Sequence, residues 1–175
     1  MFKFFYKIFF ASNNIIPIVN SDLEYSELIV LGKEIQNKIK KLFRGSLAIR
    51  QIDAGSDNAC EQELVALSNS FYDVERFGIH FVASPRHADM LLVTGPVTRN
   101  MAEALKKAYQ ATPTPKIVVA LGDDAITGGI FKDSYAVVGA VDKVIPVNYQ
   151  IPGDPPSPKV ILCSLLDILN DFENK

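Results

Sequence analysis

Short apolar runs that alternate with helix-patterned segments constrain this sequence more than any other feature. Four runs bounded by turn residues are predicted as strands, at 46–52, 79–83, 90–93 and 116–121, the last three buried on both faces. Helical spacing of apolar residues covers 61–67, 99–110 and 158–172. Strands that alternate with helices predict an α/β fold, with an open, mostly parallel sheet flanked by helices.

The longest helical pattern comes before the first of these strands. Ser21 is followed by Glu24 at capping-box spacing, and apolar residues then recur at helical spacing to about Phe43. We predict an N-terminal amphipathic helical extension over residues 1–44 and an α/β domain over residues 45–175.

Residues 1–11 are mostly aromatic, with Lys3 and Lys7 one helical turn apart. A helix would gather both charges on one side, so we expect peripheral docking on a membrane surface or on an apolar partner subunit. The alternative is a terminal helix packed on the chain's own core. Lys7 and the missing small-x-small pattern argue against a secretory signal, and no apolar run is long enough for a membrane-spanning helix.

Charge and cysteine content exclude several classes of protein. The 18 basic and 20 acidic residues are mixed along the chain, so nucleic acid is not an expected partner. Cys60 and Cys163 are too few for a disulfide framework and fit a reducing cytoplasm. Neither histidine is at zinc-ligand spacing with Cys60. No nucleophile with an adjacent base is present, so the chain is not expected to be an enzyme by itself.

Three loops combine tight bends with acidic residues, at 53–61, 122–131 and 152–158. Their glycines and prolines indicate a bent backbone that allows close approach. We expect all three at the carboxyl ends of strands, where ligands of such sheets bind.

These loops, with 72–79 (YDVERFGI) and 84–95 (SPRHADMLLVTG), resemble the 20 kDa subunit family of respiratory complex I (NADH:ubiquinone oxidoreductase). The same family includes the small subunits of membrane-bound nickel–iron hydrogenases. The match runs from about Gly45 to Ile168, and its first loop and Arg-His-Ala-Asp run look more like the energy-converting hydrogenase and formate hydrogenlyase branch.

The resemblance implies a flavodoxin-like fold in a subunit of a quinone-linked or hydrogenase-type oxidoreductase. It implies a large subunit and membrane-arm subunits as partners, and a peripheral location on the cytoplasmic face of the membrane. The family's cofactor is a 4Fe-4S cluster, which carries electrons between the large-subunit active site or quinone and the other clusters.

The family binds that cluster with four cysteines, and the matching positions here are Asp57, Cys60, Asp124 and Asp154. Soft thiolates suit iron–sulfur clusters and carboxylates do not. We therefore expect the cubane to be absent, with Cys60 as a small buried residue.

Three functions follow from this pattern. The first is a scaffold that holds the large subunit against the membrane arm after electron transfer has been lost. The second is a working electron carrier, with an atypical cluster or a metal held by Cys60 and the aspartates. The third is a stand-alone module that binds a metal or a small molecule.

Converging carboxylates at Asp57, Asp124 and Asp154 would repel one another unless something offsets their charge. A divalent cation such as Mg²⁺, Mn²⁺ or Ca²⁺ would do so through oxygen ligands. Water, a Lys or Arg from a partner, or a protonated aspartate are the other possibilities. The remaining alternative is that the loops have relaxed and the aspartates are solvated.

Arg86, His87 and Asp89 precede a buried strand, and the resemblance places them near the interface with the large subunit and the membrane arm. We predict interface contacts for them, with a proton-handling or quinone-facing role for His87 as the alternative. Cys163 is expected in the core on the last helix.

Overall fold

The computed structural model describes residues 21–174, with side chains from residue 25 onward. The docking role predicted for residues 1–11 therefore lies outside the described residues. The capping interaction predicted at Ser21 and Glu24 lies outside the described side chains.

Helices and strands alternate along the described chain, as the apolar pattern predicts. In order they are α1 (Ser21–Phe43), β1 (Leu47–Asp53), α2 (Ala59–Leu67), β2 (Ile79–Phe81), β3 (Met90–Thr94), β4 (Val97–Thr98), α3 (Arg99–Ala111), β5 (Ile117–Leu121), α4 (Asp123–Thr127), β6 (Val137–Gly139), β7 (Tyr149–Ile151) and α5 (Pro158–Glu173). Single turns of 3₁₀ helix lie at Val74–Phe77, Pro85–His87 and Val141–Lys143.

Five strands form one parallel sheet in the order β2-β1-β3-β5-β7, which confirms the predicted fold class. A separate antiparallel pair joins β4 to β6. Every residue of β3 and β5 is buried, as expected for central strands covered on both faces. The same prediction is wrong for residues 79–83, because β2 is an edge strand in which only Ile79 is buried.

The core forms two layers, one on each face of the sheet. On one face, α1, α2 and α5 cover alternate strand residues such as Met90 and Leu92. On the other face, Leu105 of α3 and Ala125 of α4 pack with Leu91 and Val93. This alternation shows that successive residues of β3 point to opposite sides and that both sides are dry.

Helix α1 shares this core through Leu28, Ile35 and Ile39, and it packs along α5. Cys163 of α5 is exposed, so its predicted place in the core is wrong. The reason is helical spacing, since Leu162 and Leu165 define the buried stripe and residue 163 lies outside it. Among residues 21–174, no helix is long and apolar enough to cross a membrane.

Candidate functional site

The three acidic loops lie together at the carboxyl edge of the sheet, as predicted. The first follows β1 and leads into α2, the second follows β5 and leads into α4, and the third follows β7 and leads into α5. Because these strands run parallel in one sheet, their carboxyl ends share one edge. Backbone hydrogen bonds join the second and third loops, from Gly122 N to Ile151 O (2.8 Å) and from Asp123 N to Gly153 O (2.9 Å).

The loops enclose a cavity of about 200 Å³. Side chains from all three loops line it, together with the turn after β3. The lining residues are Gly55, Ser56, Asp57, Pro96, Asp124, Ile130, Phe131 and Asp154. The structure therefore places the three predicted carboxylates around one space, and no lysine or arginine is among the lining residues.

Cys60 lies beside this cavity, in the first turn of α2, and is 7% exposed. Its Sγ is so close to Gly122 that a Cβ on that glycine would be 2.6 Å away. Burial, followed by the negative charges of Glu61, Asp154, Asp57 and Asp124, raises the pKa of the Cys60 thiol to about 12. The thiol is therefore protonated at neutral pH.

Asp124 lies in the first turn of α4 with its carboxylate at the cavity. Partial burial, and then the charges of Asp154, Asp57 and Asp123, raise its pKa above the ordinary value of 3.8. Its Oδ1 lies where a side chain on Gly129 would be, since a Cβ there would be 1.8 Å away. Gly129, at φ +61°, thus leaves room for the carboxylate as well as adopting a left-handed backbone.

Hydrogen bonds inside the loops satisfy some of the acidic groups. Asp57 Oδ1 accepts from Ala59 N (2.9 Å), and Asp123 Oδ1 accepts from Gly153 N (2.9 Å). Asp53 Oδ1 accepts from the next two backbone amides of the first loop, at 2.7 and 2.8 Å. The bonds of Asp53 and Asp57 are typical of Asx turns, whereas the bond of Asp123 joins the second loop to the third, and none of them supplies a positive charge.

Sequence reasoning missed two residues that support this site. Glu61 is 7% exposed; its Oε1 accepts from Thr94 Oγ1, and its Oε2 has no hydrogen-bond partner among the described residues. The helical pattern of 61–67 could have indicated that Glu61 is buried, because it lies on the same helix face as Leu64. Gly95 is the second, since at φ +72° a Cβ on it would lie 2.3 Å from Ser56 N in the first loop.

Arg86, His87 and Asp89 lie at the other end of the sheet from the cavity. Arg86 and His87 lie in the 3₁₀ turn that precedes β3, and Asp89 comes directly before the strand, whereas the acidic loops follow strand ends. Five residues of β3 separate the two edges, which is roughly 16 Å. Asp89 Oδ2 accepts from Ala48 N (2.9 Å), and the other two are exposed. The interface role of this trio stays a prediction.

Within the described residues, no group of three or more His, Cys, Asp or Glu side chains is arranged to hold a metal ion. Asp57, Asp124 and Asp154 thus share a cavity without forming a ready set of metal ligands.

Residues 58–168 match the family model described as the 20 kDa subunit of NADH ubiquinone oxidoreductase. The matched segment includes Cys60, Asp124 and Asp154, and it begins one residue after Asp57.

Three curated relatives are similar over about three quarters of the chain. An uncharacterised protein of Methanocaldococcus jannaschii is 50% identical over 131 residues, which are 74% of this chain and 88% of the relative. Formate hydrogenlyase subunit 7 of Escherichia coli is 44% identical over 137 residues, 78% of this chain and 53% of the relative. A probable membrane-bound hydrogenase subunit of Pyrococcus furiosus is 44% identical, over 78% of this chain and 81% of the relative. The chain thus spans about half of the E. coli protein and most of the other two.

Two solved structures share the fold. A chain of an archaeal membrane-bound sulfane sulfur reductase, a respiratory membrane complex, is 32% identical with a TM-score of 0.65, covering 86% of this chain and 77% of that one. A chain of an NAD⁺-reducing nickel–iron hydrogenase is 19% identical with a TM-score of 0.56, covering 72% of this chain and 92% of that one. The second likeness concerns the fold alone.

Proposed function

Because the chain belongs to the family of the NADH ubiquinone oxidoreductase 20 kDa subunit, we propose that it is a subunit of a complex I-like or membrane-bound hydrogenase-type assembly. Relatives that carry functional names are subunits of such assemblies. We further propose that it is a cluster-less scaffold between the large subunit and the membrane arm. Its location is peripheral, on the cytoplasmic face, with residues 1–11 as an additional contact to the membrane or an apolar partner.

The donor set around the cavity carries the cluster-less part of this proposal. A 4Fe-4S cubane takes four thiolates, and the positions that correspond to them hold three carboxylates and one thiol. Cys60 is the single sulfur among the four corresponding positions, so the donor set is mostly carboxylate oxygen. The residues present do not fit the family's cluster, and no electron-transfer step follows from them.

The scaffold part rests on what the fold has kept. Both faces of the central strands are covered by core residues, and hydrogen bonds still close the loops over the sheet edge. A chain that retains this architecture can present the family's surfaces to its neighbours without redox chemistry. Positioning of neighbouring subunits is therefore the function that the geometry supports best.

Iron and acid-labile sulfide analysis of the full-length chain, purified anaerobically apart from the other subunits, tests the cluster-less state. We expect iron and sulfide well below one per chain. Four irons and four sulfides per chain, with a visible absorbance that bleaches on reduction, would contradict it. Native electrophoresis of detergent-solubilised membranes tests the scaffold: the chain should migrate with a hydrogenase-like large subunit, and migration alone would favour the stand-alone module.

A divalent cation in place of the cluster is the second candidate, and the shared cavity of Asp57, Asp124 and Asp154 favours it. The alternative electron carrier would instead require a redox-active metal or an atypical cluster held by Cys60 and the aspartates. Titration with Mn²⁺ followed by electron paramagnetic resonance tests the divalent-cation candidate. Saturable binding that is lost in Asp124→Asn would support it, and binding unchanged by that substitution would contradict it.

A further inference from the structure

A short loop beside the cavity exposes an unusual amount of apolar surface. Ile130 is 88% exposed, Phe131 56% and Tyr135 90%, so three large apolar side chains face solvent within six residues. Ile130 and Phe131 also line the cavity. Contiguous exposed apolar groups of this kind mark interaction surfaces, because their burial by a partner is favourable.

The cavity next to this loop carries negative charge that the described residues do not balance. Asp57, Asp124 and Asp154 line it without a basic residue among the lining side chains. The charge extends inward, because Glu61 adds to the negative field at Cys60 and keeps one carboxylate oxygen without a partner. A partner that covers the apolar loop therefore gains most if it also brings a positive charge.

The size of the cavity limits what this positive group can be. At about 200 Å³ it is smaller than the ~300–1,000 Å³ typical of small-molecule sites, and it suits one inserted side chain. A guanidinium group forms paired hydrogen bonds with carboxylates and stacks on aromatic rings. Both kinds of contact are available here, from the aspartates and from Phe131.

We infer that the cavity and residues 130–135 form a docking surface for a protein segment that presents one arginine between apolar side chains. The inference deepens the proposed function, since the segment would belong to a neighbouring subunit. The arginine would occupy the space of the family's cluster and offset the repulsion among the aspartates. An anionic membrane is disfavoured as the occupant, because the carboxylates would repel its headgroups.

A pair of synthetic peptides tests the chemistry of this surface on the full-length, metal-free chain. One is acetyl-Ser-Leu-Phe-Arg-Leu-Ser-amide, and the other carries neutral citrulline instead of arginine. Nuclear magnetic resonance titration should show amide shifts confined to the three acidic loops and residues 130–135. The arginine peptide should bind at least about tenfold more tightly, since hydrogen bonds to charged groups are worth more than neutral ones.

Matched variants separate the two parts of the surface. Asp124→Asn combined with Asp154→Asn should abolish the preference for arginine, whereas Asp142→Asn at an exposed position should leave it unchanged. Ile130→Ser should weaken both peptides, and Val65→Ser, at a residue 64% exposed on α2, should weaken neither.

Equal affinity for the two peptides, or an arginine preference that survives the double Asp→Asn change, would overturn the inference. So would tight binding to vesicles of equal parts phosphatidylcholine and phosphatidylglycerol that Ile130→Ser abolishes. These failures are distinct from failure of the proposed function, which iron content and native electrophoresis measure. A metal-free chain that migrates with its complex but does not discriminate between the peptides would refute the docking surface alone.

Discussion

Two acidic regions of this molecule differ in how their negative charge is balanced: one pairs with lysines, and the other lies among further carboxylates. At the end of α5, Glu173 forms ion pairs with Lys38 and Lys41 of α1, and these lower the pKa of its carboxyl to about 2. At the cavity between the acidic loops, partial burial and then the charges of Asp154 and Asp57 raise the pKa of Asp124. The first region ties two helices together with charges that the chain itself supplies. The second keeps carboxylates whose mutual repulsion is not offset by a basic residue among those that line the cavity, which is typical of sites that bind a ligand or partner.

Replacement of the three cavity aspartates by cysteines should have the largest effect of the changes that test this comparison. The triple variant Asp57→Cys, Asp124→Cys, Asp154→Cys should bind one 4Fe-4S cluster on anaerobic reconstitution, because these three positions line one cavity and Cys60 lies within reach of their charges. Iron and sulfide analysis and visible absorbance measure the result. We expect four irons per chain, against almost none in the parent chain.

The control is the triple asparagine variant of the same positions, which removes the charge without adding sulfur. It should stay free of iron. If the triple cysteine variant is folded by circular dichroism but binds no iron, the loops do not converge as described, and the proposal of a former cluster site fails.

The alkylation rates of Cys60 and Cys163 test whether the cavity carboxylates act on a neighbouring thiol. A pKa shift from 9.0 to about 12 reduces the thiolate fraction of Cys60 by roughly a thousandfold near neutral pH, and the thiolate is the reactive form. Burial slows Cys60 further, whereas Cys163 is exposed. Cys163→Ser and Cys60→Ser isolate the two sites, and alkylation rates followed by mass spectrometry should differ by about a thousandfold or more.

Denaturant provides the internal control, because both thiols should react at similar rates in the unfolded chain. The rate at Cys60 should rise as the pH increases toward about 12. Rapid alkylation of Cys60 in the native chain at pH 7 would show that its thiolate is stabilised, contrary to the field of the neighbouring carboxylates.

The sequence predicts most of the fold because periodicity is strong in long elements. Residues 21–43 and 158–172 were predicted as helices, and the structure has Ser21–Phe43 and Pro158–Glu173. Short elements carry too little periodicity, and β7, which positions the third loop, has only three residues with one of them buried. It was not predicted, although the loop after it was.

Motif resemblance predicts four cluster positions, and the structure places Asp57, Asp124 and Asp154 around one cavity with Cys60 beside it, while their correspondence to cluster ligands stays a prediction. It could not reveal that Ile130 and Phe131 are exposed, because apolar residues next to glycines are equally compatible with loop packing against the core. Exposure depends on which tertiary contacts form, and spacing does not encode it. The unpaired oxygen of Glu61 was missed for the same reason, since only the folded chain shows where hydrogen bonds are lacking.

The α1–α5 ion pairs provide the larger of two expected stability effects. Glu173→Gln should lower the free energy of unfolding at pH 7, because Lys38 and Lys41 lose their shared carboxylate. A carboxyl whose pKa is lowered from 4.5 to about 2 stabilises the folded state above pH 4.5, and this contribution is lost as the pH falls toward 2. Urea unfolding of the parent chain and of Glu173→Gln should give different free energies of unfolding at pH 7, and this difference should largely disappear near pH 2. A difference that persists near pH 2 would assign the effect to packing.

Asp124→Asn should have a smaller effect of opposite sign. A carboxyl with a raised pKa destabilises the folded state once it is ionised, so removal of its charge should slightly increase the free energy of unfolding at pH 7; the gain is small because solvent screens this partly exposed group. The gain should vanish below pH 3.8, where the native Asp124 is protonated in both folded and unfolded chains. Asp142→Asn, at an exposed residue that does not line the cavity, is the matched control. Destabilisation by Asp124→Asn at pH 7 would mean that the chain itself supplies a positive partner for this carboxylate, and the contrast with Glu173 would then be lost.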